Sequence, residues 1–149
     1  MLKLKRTNSE DSDFINLVKS LNAYLSVVDG EDHAFYMQYN TLDRLKQVIV
    51  AYSDDLPVGC GSFKAFNNEA VEIKRMYLAP DFRGTGIAKK ILTELELWAK
   101  ELNYKKCKLE TGKRQIEAVA FYKKNNYGLI PNFGPYIGID NSLCFEKEL

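Results

Sequence analysis

Between Ile87 and Leu102 the apolar residues fall at Ile87, Ala88, Ile91, Leu92, Leu95, Trp98, Ala99 and Leu102. Their period is ~3.6 residues, which makes this run an amphipathic helix with one apolar stripe. Such a stripe has to be covered, and the flanking sequence indicates what covers it. AVEIKRMYL (Ala70 to Leu78) precedes the run and KKCKLET (Lys105 to Thr111) follows it; both read as strands. The helix therefore lies on a sheet, and the fold class is α/β. Glu96 and Lys100, four residues apart, are expected to pair on its wet side.

The same alternation extends along the chain. LKLKRT (Leu2 to Thr7) reads as a strand, NSEDSDF offers capping residues, and Phe14, Leu17, Val18, Leu21 and Leu25 give a helical stripe. TLDRL (Thr41 to Leu45) is compatible with a helical turn. QVIVAYS and VGCGSFKAF are strands joined by the turn SDDLP, a hairpin; NNE turns the chain into AVEIKRMYL. QIEAVAFYKKNN is a second helix beyond KKCKLET, and YGLIP and SLCFEKE finish the sheet. Neither a linker nor a repeat interrupts the series, so residues 1–149 are expected to form one domain.

Several function classes are disfavoured by composition. A net charge of +1 lacks the basic excess of a nucleic-acid binder. No apolar run approaches the ~20 residues of a membrane span, and MLKLKRTNSEDSDF has no apolar signal core. Cys60, Cys107 and Cys144 are an odd set, far apart, each in a strand-like run without C-x-x-C spacing. They read as reduced, buried and structural, with no metal site, and they point to a reducing cytoplasm.

The chemistry is expected at PDFRGTGIAKKIL (Pro80 to Leu92). Glycine inside a helix costs roughly 1 kcal/mol against alanine, yet Gly84 and Gly86 stand at a helix entrance. Such an entrance exposes unpaired N–H groups and roughly +0.5 charge, a seat for phosphate, and glycine lets the phosphate reach the backbone. Arg83 adds a fixed positive charge. A P-loop would need Gly-Lys-Ser/Thr, but Ile87 and Ala88 follow Gly86. A dinucleotide fingerprint would need a third glycine where Lys89 stands, directly after the first strand.

What remains is Arg-x-x-Gly-x-Ala, formed by Arg83, Gly86 and Ala88, within EIKRMYLAPDFRGTGIA, then a helix, then KLETG, then AVAFYKKNNYG. In this order of elements the chain resembles the GCN5-related N-acetyltransferases (GNAT family), most strongly from Val58 to Tyr127. The resemblance implies a mixed, mostly antiparallel sheet flanked by helices and splayed between its fourth and fifth strands. It implies direct acetyl transfer from acetyl-coenzyme A, as co-substrate, to an amine of a small molecule or of a peptide or protein. The loop Arg83, Gly84, Thr85, Gly86, Ile87, Ala88 and Lys89 would hold the pyrophosphate. The fourth-strand segment Met76, Tyr77 and Leu78 would pair with the pantetheine arm and polarise the thioester through the amides of Met76 and Leu78.

The resemblance matches Tyr122 to the family's thiolate-protonating tyrosine. Gln115, Ala118 and Tyr122 share a helical face, and the small Ala118 leaves room for the cofactor arm. Tyrosine stays protonated at neutral pH, as an acid must. Glu72 occupies the position of the general base found in some members; ordered water is the alternative, and a solvated Glu72–Lys74 pair is a third reading. Alternation puts Glu72, Lys74 and Met76 on one face unless a bulge intervenes. Tyr24, Phe35, Tyr36 and Tyr39 either line the acceptor pocket or cap the core, and Tyr136, in the Gly- and Pro-rich segment Pro131 to Asp140, is expected over the acceptor site. His33, without partner residues, reads as a surface histidine. The expected partners are acetyl-coenzyme A and an amine, with no nucleic acid and no membrane; a homodimer is left open. A non-catalytic acyl-coenzyme A sensor and an unrelated phosphate-binding module are the rival readings.

Overall fold

The architecture comes from a computed structural model, which describes residues 1–30 and 44–149. Strand β1 (Leu2–Thr7) leads into helix α1 (Ser12–Val28), and β2 (Gln47–Ser53), β3 (Leu56–Ala65) and β4 (Ala70–Leu78) follow as a meander. Helix α2 (Ile87–Glu101), strand β5 (Lys106–Gly112), helix α3 (Ile116–Lys124) and strands β6 (Gly128–Ile130) and β7 (Ser142–Glu148) complete the chain. Asp11 caps α1, its carboxylate accepting from the N–H groups of Asp13 and Phe14. His33, Phe35, Tyr36, Tyr39 and most of the expected turn at Thr41 to Leu45 lie outside the described residues.

The strands form a single sheet of order β1-β2-β3-β4-β5-β7-β6. Every neighbouring pair is antiparallel except β4 and β5. Those two touch only where Ala70, Val71 and Glu72 meet Lys106, Cys107 and Lys108. Past Glu72 the strands part, and the edge of β4 facing β5 is left without a strand partner. The splay that the sequence implied is therefore present, and it opens a cleft.

One face of the sheet carries α2. Ile87, Ile91, Leu92, Leu95 and Ala99 pack on Ile49, Ala51, Val58, Phe63, Val71 and Ile73. The other carries α1, through Phe14, Leu17 and Val18 on Val48, Val50 and Cys60. Two glycines in β3 admit α2 closely: a Cβ on Gly59 would lie 3.0 Å from Ile91 Cδ1, and one on Gly61 would lie 2.8 Å from Leu95 Cδ1. The close fit sets the height of the α2 N-terminus over the end of β4.

Three local expectations are corrected. Glu96 does not pair with Lys100 on the wet side. Its carboxylate is largely buried, bonds Lys147 Nζ at 3.0 Å and accepts from the Tyr127 hydroxyl at 2.7 Å. Met76 does not share a face with Glu72 and Lys74. The ladder between β3 and β4 slips between Cys60 and Ser62, and Arg75 opposite adopts a left-handed φ of 58°. This bulge flips the alternation, so Met76 joins the α2 side while Glu72 and Lys74 face the cleft. Glu72 and Lys74 do pair, at 3.3 Å, but both are nearly buried, so theirs is not a solvated face. The three cysteines are free and buried, as expected, and burial pushes their thiols up to about 12, 12 and 11 for Cys60, Cys107 and Cys144.

Candidate active site

The loop after β4 makes one 3-10 turn at Pro80–Phe82 and then needs two left-handed residues to enter α2. Gly84 and Gly86 supply them, with φ of 77° and 84°, and Gly86 is the N-cap. A Cβ at either glycine would meet nothing within 4 Å, so the space over the exposed α2 amides is open. Arg83 is fixed beside this space: its Nε donates to the Leu78 carbonyl at 3.0 Å and its guanidinium lies 5.1 Å from the Tyr24 ring centre. Thr85 ties the loop back through its hydroxyl, which donates to the Phe82 carbonyl.

From this loop a groove of ≈ 230 Å³ runs into the split sheet between β4 and α3, its walls including Tyr77, Leu78, Arg83, Gly84, Ala88 and Phe121. A second cavity, of ≈ 110 Å³, lies deeper in the cleft, walled by Asp29 of α1, Glu72, Lys74 and Arg75 of β4, and Glu110 of β5, with Tyr136 over it. Leu21, Met76, Gln115, Ala118 and Tyr122 line both spaces. Tyr122 therefore stands at their junction, on the inner face of α3, with Gln115 and Ala118 beside it. Tyr24 belongs to the outer groove, against Arg83, rather than to the inner cavity.

Inside the cavity the groups hold one another. Lys74 Nζ contacts Glu72 and donates to the Tyr136 hydroxyl at 3.4 Å, anchoring the segment between β6 and β7 to β4. That segment is knitted by Asn132, whose Nδ2 donates to the carbonyls of Tyr136, Ile139 and Ser142 at 3.0, 3.3 and 3.1 Å. The Ser142 hydroxyl donates to Glu110 Oε2 at 2.7 Å. Burial pushes the Glu110 carboxyl up to about 7, helped by the charges of Asp29 and Glu72 and opposed by Ser142 and Lys74. Burial, with the Glu110 charge, raises the Tyr122 phenol as well and keeps it protonated.

Glu110 is absent from the sequence-derived candidates. In KLETG it shares a strand face with Lys106 and Lys108 and reads as polar surface. A signal was present: a short strand–turn–helix unit brings the end of β5 against the inner face of α3, so residues on Gly112's side of β5 meet Tyr122. The splay and the Tyr136 segment then convert that surface position into a half-buried one that lines the inner cavity. Among the described residues, no cluster of His, Cys, Asp or Glu could hold a metal, and no helix is long and apolar enough to cross a membrane.

The chain is similar to known proteins in sequence and fold. Residues 14–127 match the model of the acetyltransferase (GNAT) family. An IAA acetyltransferase of Azospirillum brasilense is 30% identical over 138 residues, covering 91% of this chain and 90% of that protein. A Klebsiella pneumoniae structure assigned as an acyl-CoA N-acyltransferase superposes with a TM-score of 0.84 at 28% identity, covering 100% of this chain and 98% of the other. The PaiA N-acetyltransferase of Thermoplasma acidophilum, solved with coenzyme A, shares the fold with a TM-score of 0.73 at 18% identity, covering 100% of this chain and 99% of the other. With a split sheet, a glycine-capped α2 and a tyrosine at the junction of two cavities, the chain belongs to the GNAT acetyltransferase family and is an acyltransferase.

Proposed function

We propose that the protein transfers an acetyl group from acetyl-coenzyme A directly to an amine, with Glu110 as base and Tyr122 as acid. The observation that carries this reading is the place of Tyr122, lining both the outer groove and the inner cavity that holds Glu110. The outer groove fits coenzyme A: the space over Gly84 and Gly86 is open, the amides of Ile87 to Lys89 begin a helix there, and Arg83 stands beside it. Gly84, Thr85, Gly86, Ile87, Ala88 and Lys89 would hold the pyrophosphate, and Gln115 and Ala118 would flank the pantetheine arm. The unpaired edge of β4 from Met76 through Tyr77 to Leu78 would pair with that arm as a strand. The co-substrate supplies the acetyl group and a thiol leaving group.

The chain's own residues do the rest. An amine entering the inner cavity as an ammonium loses its proton to Glu110, whose raised pKa brings it closer to the amine than an ordinary carboxylate. The neutral nitrogen forms a bond to the thioester carbon, and β4 amides stabilise the oxyanion. When the carbon–sulfur bond breaks, Tyr122 delivers its proton to the thiolate, and the second proton that the acylated nitrogen sheds restores the phenol. Glu72 is committed to Lys74, and its part is to hold that ammonium and, through it, Tyr136.

Thiol release from acetyl-coenzyme A with a panel of amines tests the reaction. Gly86→Asp tests the groove: a carboxylate over the α2 amides should abolish coenzyme A binding in calorimetry while the thermal transition stays cooperative. Wild-type affinity in the folded variant would refute the groove.

A further inference from the structure

Behind Tyr122, away from the cleft, lies a polar network that the reaction does not use. The Tyr127 hydroxyl donates to Glu96 Oε2 at 2.7 Å, and Lys147 Nζ donates to the two Glu96 oxygens at 3.0 and 3.2 Å. Lys147 also lies 5.6 Å from the centre of the Tyr127 ring. Tyr127 is buried, Glu96 largely so, and Lys147 partly so. Apolar side chains of similar size often hold a core as well as a buried ion pair does, or better. What charge-assisted bonds add is direction. Three elements meet here. Glu96 belongs to α2, whose N-terminus forms the open loop at Gly86; Tyr127 follows α3, which carries Tyr122; Lys147 belongs to β7, whose Ser142 holds Glu110.

Tyr127 is joined to Tyr122 twice. Their rings meet edge to face, with centres 5.8 Å apart and planes at 69°, and the Tyr127 N–H donates to the Tyr122 carbonyl at 3.0 Å. Tyr127 itself lines neither the outer groove nor the inner cavity. Burial raises its phenol, so the proton stays in the bond to Glu96. We propose that Tyr127, tethered by Glu96 and Lys147, is a positioning residue for the acid: bonded to α2 at its hydroxyl and packed on Tyr122 with its ring, it fixes the Tyr122 hydroxyl relative to the sulfur of a cofactor seated on α2. This inference rests on the acetyl-transfer reading above, with Tyr122 as its acid. Tyr127 neither gives nor takes a proton in the reaction; it holds the group that does.

Tyr127→Phe tests this, because it keeps the ring, removes only the tether and leaves Glu96 paired with Lys147. In thiol-release assays kcat should fall by ~10–10²-fold, since a misplacement of ~1 Å can cost about that much, while coenzyme A affinity in calorimetry stays within about twofold. In a Tyr122→Phe background the same change should cost nothing further, because a positioning residue acts only through the group it positions. Equal losses in both backgrounds, as a merely structural role would give, overturn the inference, and so does full kcat in Tyr127→Phe. Full kcat in Tyr122→Phe overturns the acid as well. If no amine on the panel releases thiol, crystals of the coenzyme A complex decide. The Tyr122 hydroxyl should lie within ~3.5 Å of the sulfur in the wild type and move by ~1 Å in Tyr127→Phe. A hydroxyl that stays in place overturns the positioning role alone; one out of reach of the sulfur in the wild type overturns the acid too. Should Tyr127→Phe fail to fold, Lys147→Gln, at the more exposed end of the network, takes its place in the same comparisons, with the same results expected and the same results overturning the inference.

Discussion

Replacing Glu110 with glutamine should make the protein more stable and less active, with both effects set by pH. Burial raises this carboxyl from 4.5 to about 7. Each pH unit of such a gap is worth ~1.36 kcal/mol, so the ionised group destabilises the fold by about 3 kcal/mol, an order-of-magnitude figure. The folded state binds this proton more tightly than the unfolded chain does. Its contribution to stability is therefore fully present below about pH 4.5, declines as pH rises, and is gone above about 7. Glutamine has the same shape, accepts from Ser142 and never ionises. In thermal unfolding at pH 8.5, Glu110→Gln should melt ~6–12 °C above wild type, using ~2–4 °C per kcal/mol for a chain of this size; at pH 4.5 the two should coincide. In thiol-release assays the variant should lose ~10²–10⁴ in kcat/KM near neutrality, and the loss should shrink toward pH 9.5 as free amine becomes abundant. An equal melting difference at both pH values would refute the argument for a desolvated, ionised Glu110. Full activity at pH 7 would remove it as the base.

Tyr122→Phe should keep the fold and coenzyme A affinity but lower kcat by ~10²–10⁴, with no recovery at high pH because alkali supplies no proton; steady-state rates from pH 6 to 9.5 decide it. Gly59→Ala should lower stability by ~1–3 kcal/mol in urea titration, since its Cβ would press on Ile91 Cδ1 of α2 at 3.0 Å and on the Tyr77 backbone oxygen of β4 at 2.9 Å; a stabilised variant, the usual outcome of a tolerated glycine-to-alanine change, would refute the close packing of β3 on these two elements. Cys60, Cys107 and Cys144 should resist thiol reagents in the native protein and react as three free thiols once unfolded without reductant; fewer than three would contradict the reduced state.

What can be read locally was legible in the chain. The α2 stripe, the capping Asp11, the strands from Ala70 to Leu78 and from Ser142 to Glu148, and the glycine-rich entrance to α2 depend on residues a few positions apart, so period and turn chemistry reveal them. The place of Tyr122 on one helical face with Gln115 and Ala118, which all line the cleft, was legible for the same reason. The interior of the cleft was not. The bulge at Arg75 is a mismatch between β4 and β3, invisible in β4 alone, and it decided that Lys74 and Arg75 face the cavity while Met76 faces α2. Glu110 looked like surface because its strand alternates normally; it became a half-buried carboxylate facing the inner cavity only where β4 leaves β5 past Glu72 and Ser142 and Tyr136 arrive from 20 or more residues away. A carboxylate's pKa depends on which groups surround it in space, and that neighbourhood is a product of strand pairing rather than of any short stretch of sequence.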